Sequence, residues 1–216
     1  ADVVVLVGSN LAWCHPVLHQ RLMAAKAARP AMQVVVIDPR RTVTADAADL
    51  HLVLAPGADA HLFNLLLCHL ADQGHVDQDF LDHVGGFDAA VAAARASTLH
   101  DTGLAPEDLS RFLNLWSGTE KVVTVYSQGI NQSDTGTDKV NAILNCHLAT
   151  GRIGRPGMGP FSVTGQPNAM GGREVGGLAN MLACHLGFSE EERADVALFW
   201  NAPNICAGPG LKAVDM

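Results

Sequence analysis

The chain has 216 residues, of which 48% are hydrophobic, and it carries a formal net charge of −8. This length supports a real core in one large domain or two small ones. No Lys/Arg cluster occurs beyond Arg40-Arg41, and no apolar run reaches the roughly 18 residues that a membrane span needs. We therefore expect a cytoplasmic protein that binds neither nucleic acid nor membrane.

Apolar periodicity predicts strands that alternate with helices along the first part of the chain. The predicted strands are 3–7, 34–37, 50–54 and 122–126, and the predicted helices are 16–28, 59–72, two short ones between 77 and 94, one opened by Pro106, and 139–150. Asp59 is expected to cap its helix. Because the strands are apolar on both faces, they predict a parallel sheet covered on both sides. The predicted fold class is α/β: a doubly wound, mostly parallel sheet with helices on both faces.

The pattern changes at residue 161. A loop, a helix over about 174–186 and an apolar strand over 196–200 predict part of a second α/β unit. We predict one α/β domain over residues 1–160 and an incomplete part of a second over 161–216. Strand residues begin within two positions of the first residue, and we expect the chain to be cut from a longer polypeptide.

Each predicted strand is followed by glycine and polar residues. In open parallel sheets, ligands bind beyond the carboxyl ends of the strands. Glycine allows close approach, arginine pairs with phosphate, and carboxylates or amides read sugar hydroxyls and base edges, so the set suits a nucleotide-like ligand. The alternatives are a turn with a solvated charge pair and a simple helix cap at Asp59. The strand-end residues are Gly8-Ser9-Asn10, Asp38-Pro39-Arg40-Arg41, Pro56-Gly57-Ala58-Asp59 and Gln128-Gly129-Ile130-Asn131-Gln132.

Residues 127–177 are rich in glycine and poor in bulky apolar side chains, since nine of the 21 glycines lie between positions 151 and 177. A flexible linker is one interpretation, but the interspersed amides and charges favour a ligand-lining segment. Arg173 follows two glycines and suits capture of a planar oxyanion; a salt-bridged structural arginine is the alternative.

The cysteines and histidines predict no metal site in this chain. The five cysteines are far apart and form no C-x-x-C, which argues against a disulfide framework, a zinc site or an iron–sulfur cluster held by this segment. His15 and His19 have helical spacing but lack an evident third ligand.

Four strings resemble a known family: VGSNLAWCHPVL, VVVIDPRRT, the stretch beginning SQGINQSDTGTDKVNAILNCHLATGRIGRPG, and LFWNAPN. They are similar to the catalytic subunits of bacterial assimilatory nitrate reductases, which belong to the molybdopterin oxidoreductases. The resemblance runs over essentially the whole chain and identifies it as an internal fragment of such a subunit.

The resemblance implies molybdenum held by two molybdopterin guanine dinucleotides, reduction of nitrate to nitrite in nitrate assimilation, and electrons delivered through a [4Fe–4S] cluster. The donor would be ferredoxin, flavodoxin or an NADH-linked reductase. The metal and cluster ligands lie outside this chain, so the fragment alone should not turn over. A formate dehydrogenase of the same family and a non-catalytic nucleotide-binding module are the alternatives.

The resemblance also assigns residues. One guanine dinucleotide would be held by Val7, Gly8, Ser9, Asn10, Asp38, Pro39, Arg40, Arg41, Gly57 and Asp59. Gln128 and Gln132 would lie near the pterin and the metal, and Arg173 would line the substrate funnel as the catalytic anion-binding residue.

Overall fold

A computed structural model describes residues 1–163, 174–175 and 180–211. The chain divides into two compact units, Ala1–Gly165 and Gln166–Met216. The first unit contains a five-stranded parallel sheet, and its strand order is β3-β2-β1-β4-β5. In chain order these strands are β1 (Val3–Val7), β2 (Gln33–Ile37), β3 (Leu50–Leu52), β4 (Val122–Tyr126) and β5 (Gly159–Ser162).

Helices connect the strands of the first unit. They are α1 (Leu11–Cys14), α2 (Pro16–Ala28), α3 (Val43–Asp46), α4 (Asp59–Asp72), α5 (Gln78–Leu81), α6 (Phe87–Ala94), α7 (Leu99–Thr102), α8 (Pro106–Gly118), α9 (Gln128–Asn131) and α10 (Gly136–Ala149). The described part of the second unit contains a short 3₁₀ turn (Ala183–His185) and α11 (Glu190–Trp200).

Both faces of the sheet are buried. Alternate side chains of β1, such as Val5 and Val7, pack into a large cluster with α4, α8 and α10. The intervening Val4 and Leu6 pack on the other face, in a smaller cluster that includes Leu11 of α1. Residues that are buried on both faces explain the continuous apolar runs in the sequence. The predicted fold class, a doubly wound mostly parallel α/β sheet, is confirmed.

The predicted strand 196–200 is wrong, because these residues form the last turns of α11. Ser189 caps this helix with a capping box: its hydroxyl accepts from the Glu192 N–H, and the Glu192 carboxylate accepts from the Ser189 N–H. Three consecutive glutamates begin the helix, where the helix dipole favours negative charge. The apolar run does not enter a sheet, since Leu198 is 84% exposed.

Three further elements differ from the predictions. Asp59 is the first residue of α4 and Ala58 is its cap, so the predicted capping role is wrong. The sequence did not indicate β5, a short edge strand that spans the predicted domain boundary after residue 160. The predicted helix 174–186 lies partly outside the described residues, and in the described part positions 183–185 form the 3₁₀ turn. The assignment of domains to 1–160 and 161–216 stays a prediction.

Within the described ranges, no helix is both long and apolar enough to cross a membrane.

Candidate functional site

A cavity of about 340 Å³ lies beyond the carboxyl ends of the strands. The strand order reverses between β1 and β4, because the chain passes from β1 to β2 on one side and later returns to place β4 on the other. In doubly wound sheets this reversal opens a crevice that binds ligands. Residues after β1, β2, β3 and β4 line the cavity, together with one residue of α10. The fold therefore brings four separate strand exits into one site.

Most of the predicted cofactor-binding residues line this cavity. They are Gly8, Asn10, Asp38, Pro39, Arg40, Gly57, Asp59 and Gln128. Val7, Ser9, Arg41 and Gln132 are not among the lining residues. Arg173 lies outside the described residues.

Gly8 is required by the packing of the protein itself. Its φ is +53°, and a Cβ placed on it would lie 2.8 Å from the Cα of Gly129. A Cβ on Gly129 would in turn lie 2.7 Å from the Cα of Gly8. The two strand exits at the switch point thus touch backbone to backbone, which only a pair of glycines permits. This contact is an internal reason for Gly8, beside the predicted approach of a phosphate.

Asp38 shapes the second strand exit. Its carboxylate is almost buried, and Oδ1 accepts from the backbone N–H of Arg40 at 2.8 Å, with the Arg40 Nε at 3.4 Å. The Arg40 side chain is 73% exposed and extends at the rim of the cavity. The Arg41 side chain does not line the cavity, and its Nε donates to Asp46 Oδ1 at 2.8 Å. One of the two adjacent arginines is therefore available to the site.

Asn10 is held by a neighbouring helix. The Thr44 hydroxyl of α3 donates to Asn10 Oδ1 at 2.9 Å and accepts from the backbone N–H of Ala12 at 3.0 Å. The Thr44 contact fixes the orientation of the amide, and the NH₂ group keeps its donors for a ligand.

Lys139 and Asp59 form an ion pair in the wall of the cavity. The Lys139 Nζ lies 2.8 Å from Asp59 Oδ2, and the two side chains are only 4% and 14% exposed. Sequence reasoning missed Lys139. The available signal was its place on the apolar stripe of a predicted helix, at helical spacing with Ala142, Ile143 and Cys146. A lysine on the buried face of a helix indicates a buried partner.

The remaining predicted residues have other surroundings. Val7 is fully buried in β1, and the nearly buried hydroxyl of Ser9 has no partner among the described residues. Gln132 is exposed, and it follows α9. Cys14, a free thiol that the predictions did not assign to the site, also lines the cavity. Among the residues described, no group of three or more His, Cys, Asp or Glu side chains is placed to hold a metal ion.

Comparison with known proteins identifies the family. The profile of a family described as "Molybdopterin oxidoreductase" matches residues 1–212. The chain belongs to this family. A nitrate reductase of Shewanella frigidimarina is 52% identical over 100% of this chain and 24% of that protein, and one of Klebsiella oxytoca is 50% identical over 100% of this chain and 25% of that protein. This molybdopterin oxidoreductase chain thus spans about a quarter of the length of these curated relatives.

A solved structure supports the fold of this molybdopterin oxidoreductase chain. Acetylene hydratase from Pelobacter acetylenicus superposes with a TM-score of 0.65 at 19% identity, covering 72% of this chain and 22% of that one. At this identity, the similarity concerns the fold alone.

Membership of the molybdopterin oxidoreductase family implies a molybdenum–pterin cofactor. The cavity fits a nucleotide portion of such a group. Gly57 has a φ of +89°, and a Cβ placed on it would meet no atom within 4 Å, so its backbone borders open space at the beginning of α4. The positive end of this 14-residue helix and the Arg40 guanidinium suit phosphate. A volume of about 340 Å³ is small for a ligand site, and it suits one nucleotide rather than a whole cofactor.

Proposed function

We propose that this chain is the part of a molybdenum-dependent nitrate reductase that holds one molybdopterin guanine dinucleotide by its nucleotide end. The observation that carries the proposal is the match, over the whole chain, to two proteins named nitrate reductase at half identity or better. The complete enzyme would reduce nitrate to nitrite in nitrate assimilation, in the cytoplasm. The chain described here supplies binding and orientation to that reaction.

The cavity supports this role through the chemistry of its walls. Arg40 and the amino end of α4 offer positive charge to a diphosphate, while the Asn10 NH₂ group and the Asp38 loop offer hydrogen bonds to sugar hydroxyls. The Gly8–Gly129 contact closes the floor and fixes the distance between the strand exits. The bound cofactor supplies the redox chemistry, and the protein positions it.

The remaining assignments are proposals that follow from the resemblance. Gln128 and Gln132 would lie toward the pterin and the metal, and Arg173 would orient nitrate. A second guanine dinucleotide, a [4Fe–4S] cluster and an electron donor such as ferredoxin, flavodoxin or an NADH-linked reductase would complete the enzyme outside this chain. The 216-residue chain alone should then give no nitrate-dependent oxidation of a reduced dye.

Two adjacent arginines provide a matched test in the full-length protein. Arg40→Ala should lower the retained molybdenum and guanine nucleotide several-fold, because it removes the cation at the cavity rim. Arg41→Ala removes the same charge one residue away, where the guanidinium pairs with Asp46, and should leave both contents at the wild-type level. Metal analysis and chromatography of the released nucleotide measure them.

The activity of the wild-type full-length protein is measured in the same experiment. Nitrate-dependent oxidation of a reduced dye is the expected result. Formate-dependent reduction of the oxidised dye without nitrate turnover would favour the formate dehydrogenase alternative. A wild-type protein that contains neither molybdenum nor guanine nucleotide would contradict the proposed function.

A further inference from the structure

The sheet face that carries the smaller apolar cluster is covered by the described helices over one half only. Over β1, Val4 and Leu6 are buried together with Leu11 of α1. Val125 of β4 belongs to the same cluster, and the strand register pairs it with Phe161 of β5. Paired residues of neighbouring strands point to the same face of a sheet. Phe161 therefore lies on this face, yet it is 53% exposed.

The connections between the strands explain why this half is open. Residues of α1, α2 and α3, which connect β1 to β2 and β2 to β3, pack on this face. Residues of α4, α8 and α10, which belong to the connections to β4 and β5, pack on the opposite face. Right-handed crossovers require this division, because strands added on opposite sides of β1 place their helices on opposite faces. A further crossover beyond β5 would also lie on the opposite face.

Pro160 identifies β5 as an edge strand. The Val163 N–H donates to the Tyr126 carbonyl, so residues 161 and 163 direct their backbone groups toward β4. Pro160 alternates with them and directs its nitrogen, which carries no hydrogen, to the outer edge. Proline within a sheet is confined to positions of this kind. Another strand beside β5 is therefore disfavoured, and extension of the sheet would not cover Phe161.

The open area has the composition of a buried surface. We call it the β4–β5 half-face, and its residues are Val123, Val125, Phe161 and Val163. Val123 and Val163 are partly buried, so the exposure increases from β4 to Phe161 at the edge. Parallel sheets occur almost only with both faces covered by helices. The half-face thus has the properties of an interface whose second side these strand connections do not supply.

We propose that the β4–β5 half-face is covered by an amphipathic helix from the part of the full-length polypeptide that these 216 residues do not include. The chain spans about a quarter of the two named nitrate reductases, so such a polypeptide has ample sequence to provide the helix. The inference rests on the proposed function in one respect, since it takes the chain to be part of that longer enzyme.

The chemistry of the surface favours a helix of the same polypeptide over a separate electron-donor protein. Charged groups steer separate proteins to one another and determine their register. The four side chains of the β4–β5 half-face are apolar, and they instead suit the apolar stripe of a helix that packs permanently.

The first test is hydroxyl-radical footprinting of the wild-type full-length protein, with oxidation of each phenylalanine measured by peptide mass spectrometry. Phe87 on α6 is the matched control, because it is only partly exposed and belongs to the opposite face. Exposure in the 216-residue chain would make Phe161 the faster of the two. A covering helix should reverse this order and bring Phe161 close to the fully buried Phe112.

The same measurement distinguishes other occupants. Protection of Phe161 that persists on dilution of a monomeric protein is the expected result. Protection that disappears on dilution, together with a dimer in size-exclusion chromatography, would assign the half-face to a second copy and overturn the inference. Faster oxidation of Phe161 than of Phe87, whether or not an added electron donor later protects it, would also overturn it.

A pair of variants provides a second test. Phe161→Glu should lower the urea midpoint of the full-length protein, because it places a charge in the interface. Val53→Glu changes a residue of similar exposure, 56%, just beyond the end of β3, and should leave the midpoint nearly unchanged. Equal midpoints for the two variants would contradict the inference. The footprinting experiment needs no substitution, so it decides the question even if Phe161→Glu does not fold.

The inference and the proposed function can fail separately. A protein that reduces nitrate but oxidises Phe161 faster than Phe87 overturns the inference alone. A protein that protects Phe161 but contains neither molybdenum nor guanine nucleotide contradicts the proposed function and leaves the covered half-face in place.

Discussion

The two ends of α10 each carry a buried cation, and the two cations are satisfied in different ways. Lys139 in the first turn is 4% exposed and faces one carboxylate oxygen at the cavity. Arg152, three residues beyond the last residue of the helix, is 7% exposed. Its Nη1 and Nη2 donate to the carbonyls of Trp116 and Thr119, and its guanidinium lies 4.2 Å from the centre of the Trp116 ring.

The difference distinguishes a structural cation from one that is available to a ligand. Arg152 donates to backbone carbonyls and stacks its flat face on an aromatic ring, so these groups are satisfied within the protein near the amino edge of the sheet. Burial lowers the pKa of Arg152 to about 10, and it still carries its charge at neutral pH. Lys139 keeps donors at the opposite, carboxyl edge. We expect substitutions of Arg152 to change stability alone, and substitutions of Lys139 to change ligand binding.

The largest expected effect on stability is that of Arg152→Leu. It removes the cation from the Trp116 face and leaves the buried Trp116 carbonyl and the partly buried Thr119 carbonyl without this donor, which should lower the free energy of unfolding by about 4 kcal/mol. Urea denaturation measures this loss, and the guanine nucleotide retained by the full-length protein is the readout for the cavity at the Lys139 end. An Arg152→Leu protein that loses its guanine nucleotide while keeping its stability would contradict the contrast between the two ends.

At the cavity end, Gly8→Ala should cost about 3 kcal/mol of unfolding free energy. The methyl group would occupy a left-handed conformation and collide with the Gly129 backbone. Gly57→Ala is the matched control: Gly57 also has a positive φ, but the added methyl group would meet open space, so its cost should be about 1 kcal/mol. Equal losses of unfolding free energy for the two variants would mean that the Gly8–Gly129 contact contributes little.

Much of the fold follows from the sequence because each apolar run is long enough to specify one element. The runs at Val3–Val7 and Val122–Tyr126 are buried on both faces and have no alternative to a central parallel strand. The strand exits were predictable for the same reason, since parallel strands place their carboxyl ends at one edge. Eight of the predicted cofactor-binding residues accordingly line one cavity.

The failures arose where local pattern and tertiary context disagree. The run before Asn201 is apolar enough for a strand, but the capping box at Ser189 begins a helix that continues through it. Lys139 could not be paired with Asp59 from sequence, because 80 positions separate them and only the packing of α4 on α10 joins them. The Gly8–Gly129 contact is likewise a property of two strand exits brought together by the sheet.

The stability of the protein should also depend on pH, because His147 is buried near the amino edge of the sheet. This side chain is fully buried, its Nε2 lies 2.8 Å from the Thr124 hydroxyl, and its ring meets Trp116 edge-on. Burial, with a smaller contribution from the Arg152 charge, lowers the pKa of His147 to about 3. The unfolded chain takes up a proton near pH 6.5, whereas the native protein does not until far lower pH.

Stability should therefore fall as the pH drops below about 6.5, by about 2 kcal/mol between pH 7 and pH 5. His147→Gln cannot titrate and retains a partner for Thr124, so its urea midpoint should change much less over this range. His83→Gln, which removes an exposed histidine, should keep the wild-type pH profile. If His147→Gln loses as much stability on acidification as the wild type, the buried imidazole is not the acid-sensitive group. The guanine nucleotide retained at pH 7 should be the same in all three full-length proteins, because His147 contacts Trp116 and Thr124 and the cavity is lined by other residues.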